Sequence, residues 1–120
     1  MTVTPSKTFG QVLREKRVAK GLSLRKFAEQ VQVSPTYLSQ VEQGNADPPT
    51  AERVQRMAEL LGENADAWIA LAGRVPADLC AIIRKHSTEM PQLLREAAGL
   101  TVEQLRKLTE QAKKLKKDSR

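Results

Sequence analysis

The sequence predicts an all-α protein, and three observations predict it. Aromatic residues make up 3% of the 120 positions while 40% are apolar, so the core must be aliphatic and alanine-rich, which suits packed helices. Apolar residues recur at three- and four-residue spacing in one segment after another. Capping residues stand where those segments begin, and glycines stand where several of them end. A chain of this length is one domain, or a small domain with an appendage.

Residues 1–7 are polar, contain Pro5 and are expected to be frayed. Thr8-Phe-Gly-Gln11 has capping-box spacing, in which a threonine hydroxyl and a glutamine amide satisfy orphan N–H groups reciprocally. The first helix is expected to run to Lys20 with Phe9, Val12 and Leu13 on its apolar side, and Gly21 stops it. Ser23 caps a second helix, where Leu24, Phe27, Ala28 and Val31 follow helical spacing. Ser34 caps a third, with Pro35 at its first position, where a missing N–H costs nothing. Gly44 closes that helix, and Asn45-Ala-Asp-Pro-Pro49 forms a loop because consecutive prolines cannot continue a helix. Thr50 caps a fourth helix with Val54, Met57, Ala58 and Leu61 on one stripe, closed by Gly62. A fifth is expected over Ala65–Ala72, with Trp68, Ile69 and Leu71 as its apolar residues and Trp68 in the core.

The texture changes at Gly73. Leu79, Ile82 and Ile83 share one segment, and Leu93, Leu94 and Ala97 share another. Thr101-Val-Glu-Gln104 is a second capping-box match. It opens a long helix through about Lys117, on which Leu105, Leu108, Ala112 and Leu115 follow 3-4-3 spacing. Two heptads fall short of a coiled-coil signature. Residues 76–115 nevertheless carry more apolar side chains than a solvated appendage needs, so oligomerisation is the favoured role. A plain surface helix and a basic nucleic-acid tail are the alternatives for the last helix. The expected division is therefore 8–72 for a first domain and 73–120 for a helical C-terminal region.

Charge narrows the class of partner. The net charge of +6 favours an anionic one, and the distribution is uneven. Residues 1–45 carry seven Lys/Arg against three Asp/Glu, residues 46–72 two against five, and residues 73–120 eleven against six. The single cysteine, Cys80, excludes an internal disulfide and fits a reducing compartment. No signal-peptide pattern and no apolar run of about 20 residues is visible, so a cytoplasmic protein without a membrane segment is expected. Cys80 and His86 would point about 240° apart on a helix and make no dyad or metal pair. The zincin, P-loop, nucleophile-elbow and CxxC patterns are all missing. No enzyme, cofactor or metal is expected.

The third helix carries the chemistry. On a helical wheel Leu38 and Val41 fall on one side, with Tyr37 at its edge. Thr36, Ser39, Gln40 and Gln43 cluster within about 100° on the other. Uncharged groups that donate and accept are what major-groove base edges call for, since glutamine pairs bidentately with adenine and hydroxyls serve either base. Any solvated helix face can look this way, so the pattern alone is weak. Its context is not. Only a three- or four-residue turn separates the second helix from the third, Ala28 is small where they must approach, and Val33 can plug the corner. Residues 24–42 thus have the dimensions of a helix-turn-helix.

The run FGQVLREKRVAKGLSLRKFAEQVQVSPTYLSQVEQG, continued by PPTAERVQRMAELLG, resembles the phage repressor and Cro-like family, also called the xenobiotic-response-element (XRE) helix-turn-helix family. The resemblance covers about residues 8–72. It implies a five-helix, lambda-repressor-like DNA-binding domain, followed here by a small helical C-terminal extension, and a dimer acting on a palindromic operator. By position it makes Thr36 and Gln40 the leading base-contact candidates, with Pro35 and Ser39 beside them. Arg14, Arg25, Lys26, Gln43 and Asn45 match positions that meet backbone phosphates; Tyr37 is placed to touch either phosphate or base and is counted with the phosphate set. Arg17 and Glu42 match a pair that in relatives locks the first helix to the recognition helix; without the resemblance they read as solvated surface residues. Leu79, Ile82, Ile83, Leu93, Leu94, Leu105, Leu108 and Leu115 are the candidates for oligomerisation.

Two positions depart from the family pattern. Leu24 stands where relatives often have a glutamine that braces the DNA backbone. Gln32 stands where they favour glycine for a left-handed turn, a conformation costing a side-chain-bearing residue roughly 1–2 kcal/mol. The expected function is a dimeric repressor that occludes a palindromic double-stranded DNA operator. The alternative is an antitoxin or a peptidase-sensitive repressor, whose C-terminal region binds a toxin or a metallopeptidase.

Overall fold

A computed structural model describes residues 7–119, and every described element is helical. The expectation of a frayed start falls, for residues 1–6, outside the described residues. The helices are α1 (Phe9–Ala19), α2 (Leu24–Gln30), α3 (Pro35–Glu42), α4 (Ala51–Leu61), α5 (Ala65–Leu71), α6 (Ala77–Lys85), α7 (Glu89–Ala97) and α8 (Val102–Asp118). The chain divides into two compact units, one running through Cys80 and the other from Ala81 onward.

Local chemistry accounts for the helix starts in the first unit. Thr8 accepts from the Gln11 N–H while the Gln11 side chain accepts from the Thr8 N–H, closing a full capping box on α1. Ser23, Ser34, Thr50 and Asn64 each accept from the backbone N–H three residues on. Each satisfies one donor that a helix start would leave orphaned. Two ends fall slightly short of the sequence expectation. Lys20 is the cap of α1 rather than its last residue, and Ala72 caps α5.

The core of this unit is aliphatic around one aromatic pair. Leu13, Phe27, Ala28, Leu38, Val54, Met57 and Ala58 are completely buried. Phe9 of α1 meets Trp68 of α5 edge-on, with ring centroids 5.9 Å apart and planes at 84°. Helix α1 packs on α3, α2 on α3, and α4 on α5. Trp68 lies in the core as expected, together with Ile69 and Ala72, whereas Leu71 is exposed. The apolar face of α5 runs 68, 69, 72, the helical 1-then-3 step, and Leu71 lies off that stripe.

The second unit differs in kind. Helices α6, α7 and α8 bury no residue. Thr101 and Gln104 close a second reciprocal capping box at the start of α8. Among the described residues, no helix is long and apolar enough to cross a membrane.

Candidate nucleic-acid interface

Helix α3 is anchored along one side and open along the other. Leu38 and Val41 are buried, whereas Pro35, Thr36 and Gln40 are exposed and Ser39 is half-buried. No hydrogen bond ties the Thr36 or Gln40 side chain to another described residue. The Gln43 amide donates to the Ser39 hydroxyl at 3.0 Å, and the Asn45 amide donates to the Gln43 oxygen at 3.4 Å. That chain of amides extends the polar face past the end of the helix.

The far end of α3 is fastened to α1 by a buried fork. The Arg17 Nε and Nη2 groups donate to the two Glu42 oxygens at 2.7 and 3.0 Å, and Arg17 Nη1 donates to the Leu22 carbonyl at 2.8 Å. Both side chains are about nine-tenths buried. Gly10 lets the helices come this close, because a Cβ there would overlap the Val41 carbonyl oxygen and lie 2.9 Å from that of Glu42.

The near end is set by the turn between α2 and α3. Gln32 takes φ +59° and is the one non-glycine residue with positive φ among those described. Its N–H reaches the Glu29 carbonyl at 3.2 Å and the Val33 N–H reaches that of Ala28 at 3.0 Å. That pair of bonds is the Schellman ending of a helix. The alternating Val31-Gln32-Val33 is thus a helix end and a corner, with Val31 buried and Val33 packed against the core.

A family model for the helix-turn-helix domain matches residues 8–67, half of the chain. The chain belongs to the XRE-type helix-turn-helix family. It is a DNA-binding transcription regulator. No curated protein sequence matches it. Three solved structures illustrate the likeness. The biofilm master regulator SinR in complex with DNA is 26% identical, with 52% of this chain and 98% of that one covered at a TM-score of 0.47. The clp gene regulator ClgR of C. glutamicum is 34% identical over 54% and 83%, at 0.45. The SinR–SinI complex is 21% identical over 92% and 99%, at 0.48.

On this helix-turn-helix the named side chains fall into three groups. Thr36, Ser39 and Gln40, with Pro35 at the helix start, share the open face of α3. Arg14 on α1, Arg25 and Lys26 in the first turn of α2, and Gln43 and Asn45 past α3 are all exposed. Tyr37 stands apart. Its hydroxyl donates to the Asp47 carbonyl at 2.8 Å, so its single proton is already committed to the loop after α3. A phosphate oxygen can only accept, so Tyr37 would have to release that loop to reach one. Leu24, at the position where relatives often have glutamine, is half-buried against the core.

Three residues that frame the helix-turn-helix were missed from sequence. Arg53 of α4 donates from Nη1 to the carbonyls of Val31 and Gln32, the latter at 2.9 Å. Arg74 donates from Nε to Pro49 at 3.2 Å and from Nη2 to Pro48 at 2.6 Å, closing the loop that Tyr37 also holds. Gly10 is the third. The two arginines answer carbonyls more than 20 residues away, and no local pattern announces such a partner. Gly10 did leave a signal, since a glycine inside a helix must be explained by close approach or a bend.

Proposed function

We propose that the protein is an operator-specific repressor that acts as a dimer in the cytoplasm. One observation carries the reading: α3 buries Leu38 and Val41 completely or nearly so, and turns an uncharged row of Thr36, Ser39 and Gln40 to solvent. A helix so braced can enter a major groove without unfolding its own support. Two such helices, about 34 Å apart on a two-fold dimer, would sit in successive major grooves of a palindromic site and obstruct polymerase. Gln40 and Thr36 then read bases, while Arg14, Arg25, Lys26, Gln43 and Asn45 meet phosphates and fix the register. Tyr37 supports the loop instead of the phosphate chain.

Binding of Gln40→Ala to duplexes varied one base pair at a time tests the assignment. The substitution should cost about 1–3 kcal/mol and relax preference at one position in each half-site. Unchanged affinity and preference would remove Gln40 from the reading face. Arg25→Ala should weaken all duplexes alike and flatten the dependence on salt. A loss confined to some base pairs would contradict its phosphate role.

The exposed apolar residues of α6–α8 support the dimer. They include Leu79, Ile82, Leu93, Leu94, Leu105, Leu108 and Leu115, whereas Ile83 is half-buried.

A further inference from the structure

Five helices of the first unit end in the same backbone motif, and one of them breaks its chemical rule. At Gly21, Gly44, Gly62 and Gly73 a left-handed glycine donates to the carbonyl three residues back, and the next residue donates to the one five back. Helix α2 makes the same two bonds around Gln32. A glutamine there meets a steric conflict between Cβ and the following carbonyl that glycine escapes. This end is also where an arginine from another helix bonds the left-handed residue's carbonyl and the one before it. Helical continuation could not have satisfied Val31, because Pro35, four residues on, has no N–H to give. Arg53 is half-buried in the first turn of α4, where its own N–H is held by the Thr50 hydroxyl at 3.4 Å, so Nη1 reaches both carbonyls from a capped helix start.

We propose that Arg53 is a positioning residue for DNA recognition: it holds the left-handed Gln32 turn and thereby sets the angle at which α3 leaves α2, without itself touching DNA. The inference rests on the reading of α3 as the base-contacting helix. The turn begins four residues before Thr36 and eight before Gln40, so a small rotation there becomes a displacement of both side chains. The ordinary assignment for an arginine in such a protein is a phosphate contact, and the two roles predict different behaviour. Loss of a phosphate contact weakens every duplex and flattens the salt dependence by about one counterion. Loss of a turn clamp blunts discrimination and leaves the salt slope in place. Glycine at position 32 should make the clamp dispensable.

The test compares wild type, Arg53→Met, Arg53→Lys, Gln32→Gly and the Gln32→Gly/Arg53→Met double variant. Each full chain is titrated with a duplex that the wild type has selected from a randomised pool. A scrambled duplex of the same composition is run beside it over a series of salt concentrations. Thermal unfolding is measured without DNA. Arg53→Met should lose on the order of ten-fold affinity for the selected duplex, as expected when two turn carbonyls lose a charged donor. Its binding to the scrambled duplex should stay within about two-fold, and its salt slope should not change. Arg53→Lys, which keeps the charge but shortens the reach, should move in the same direction. The double variant should recover most of the discrimination, and the Arg53→Met loss in Tm should shrink when residue 32 is glycine. Equal losses on both duplexes with a flatter slope would overturn the proposal in favour of a phosphate contact. So would additive Tm changes, or full discrimination in Arg53→Lys alongside its loss in Arg53→Met. A wild type that selects no duplex would overturn the DNA reading and this role with it, while the unfolding data would still report separately whether residues 32 and 53 are coupled.

Discussion

Gly10 shows how much one missing methyl group can decide. Alanine is the better helix former by about 1 kcal/mol, so Gly10→Ala on an isolated helix would be an improvement. Here the added carbon would overlap the Val41 carbonyl, which is backbone and cannot rotate away. We expect a net loss of at least about 2 kcal/mol, from overpacking that forces α1 off α3, visible as a lowered denaturation midpoint. A variant as stable as wild type would mean that the helices separate freely. The Arg17–Glu42 fork beside it obeys a different rule. Removing one partner leaves a buried charge alone, so Glu42→Gln should cost roughly 3 kcal/mol. Replacing both by methionine should recover most of that, apart from about 1 kcal/mol for the Leu22 carbonyl that Arg17 also serves. Additive losses in this cycle would show that the two side chains do not act as a pair.

At the scale of elements, α3 is held from both ends by groups that belong to other helices or loops. The loop after it is fixed by three successive carbonyls: Asp47 takes the Tyr37 hydroxyl, and Pro48 and Pro49 take Arg74. Tyr37→Phe therefore separates a loop brace from a phosphate contact. Amide exchange at Asn45, Ala46 and Asp47 should quicken several-fold, reflecting roughly 1 kcal/mol of lost local support, while the salt slope of DNA binding stays as it was. A slope reduced by about one counterion would restore Tyr37 to the phosphate set. These braces also mark where the sequence was legible. Caps at Thr8, Ser23, Ser34 and Thr50, the left-handed ends and the stripe Val54-Met57-Ala58-Leu61 were readable because partner and signal lie within one or two turns. The open face of α3 was readable for the same reason. Arg53, Arg74 and the Gly10–Val41 contact were not, because their partners lie 21 to 31 residues away and only the packed fold brings them together.

For the molecule as a whole, the two units have opposite relations to water. The first buries Leu13, Phe27, Leu38 and Met57 fully, whereas the second buries none of its described residues and exposes Ile82 of α6, Leu93 and Leu94 of α7, and Leu105, Leu108 and Leu115 of α8. At 17 residues α8 is only a little longer than the roughly 12–15 below which isolated helices are marginal in water. Its Leu105, Leu108, Ala112 and Leu115 spacing offers a narrow apolar seam, and exposed seams of this kind mark association surfaces. If a second copy covers it, dilution should lower helix content as well as mass. Sedimentation should give about twice the 13.3 kDa chain mass at micromolar concentration, with helical ellipticity falling as the species halves. Leu108→Glu places a charge in the middle of the seam, so it should yield a monomer whose first unit unfolds at an unchanged temperature. Affinity for a two-half-site duplex should fall much further than for a single half-site, because the linked second contact is lost. A wild-type chain that stays monomeric at all concentrations, yet retains a specific unlike protein on α6–α8, would reassign the seam to a hetero-partner and leave the reading of α3 untouched.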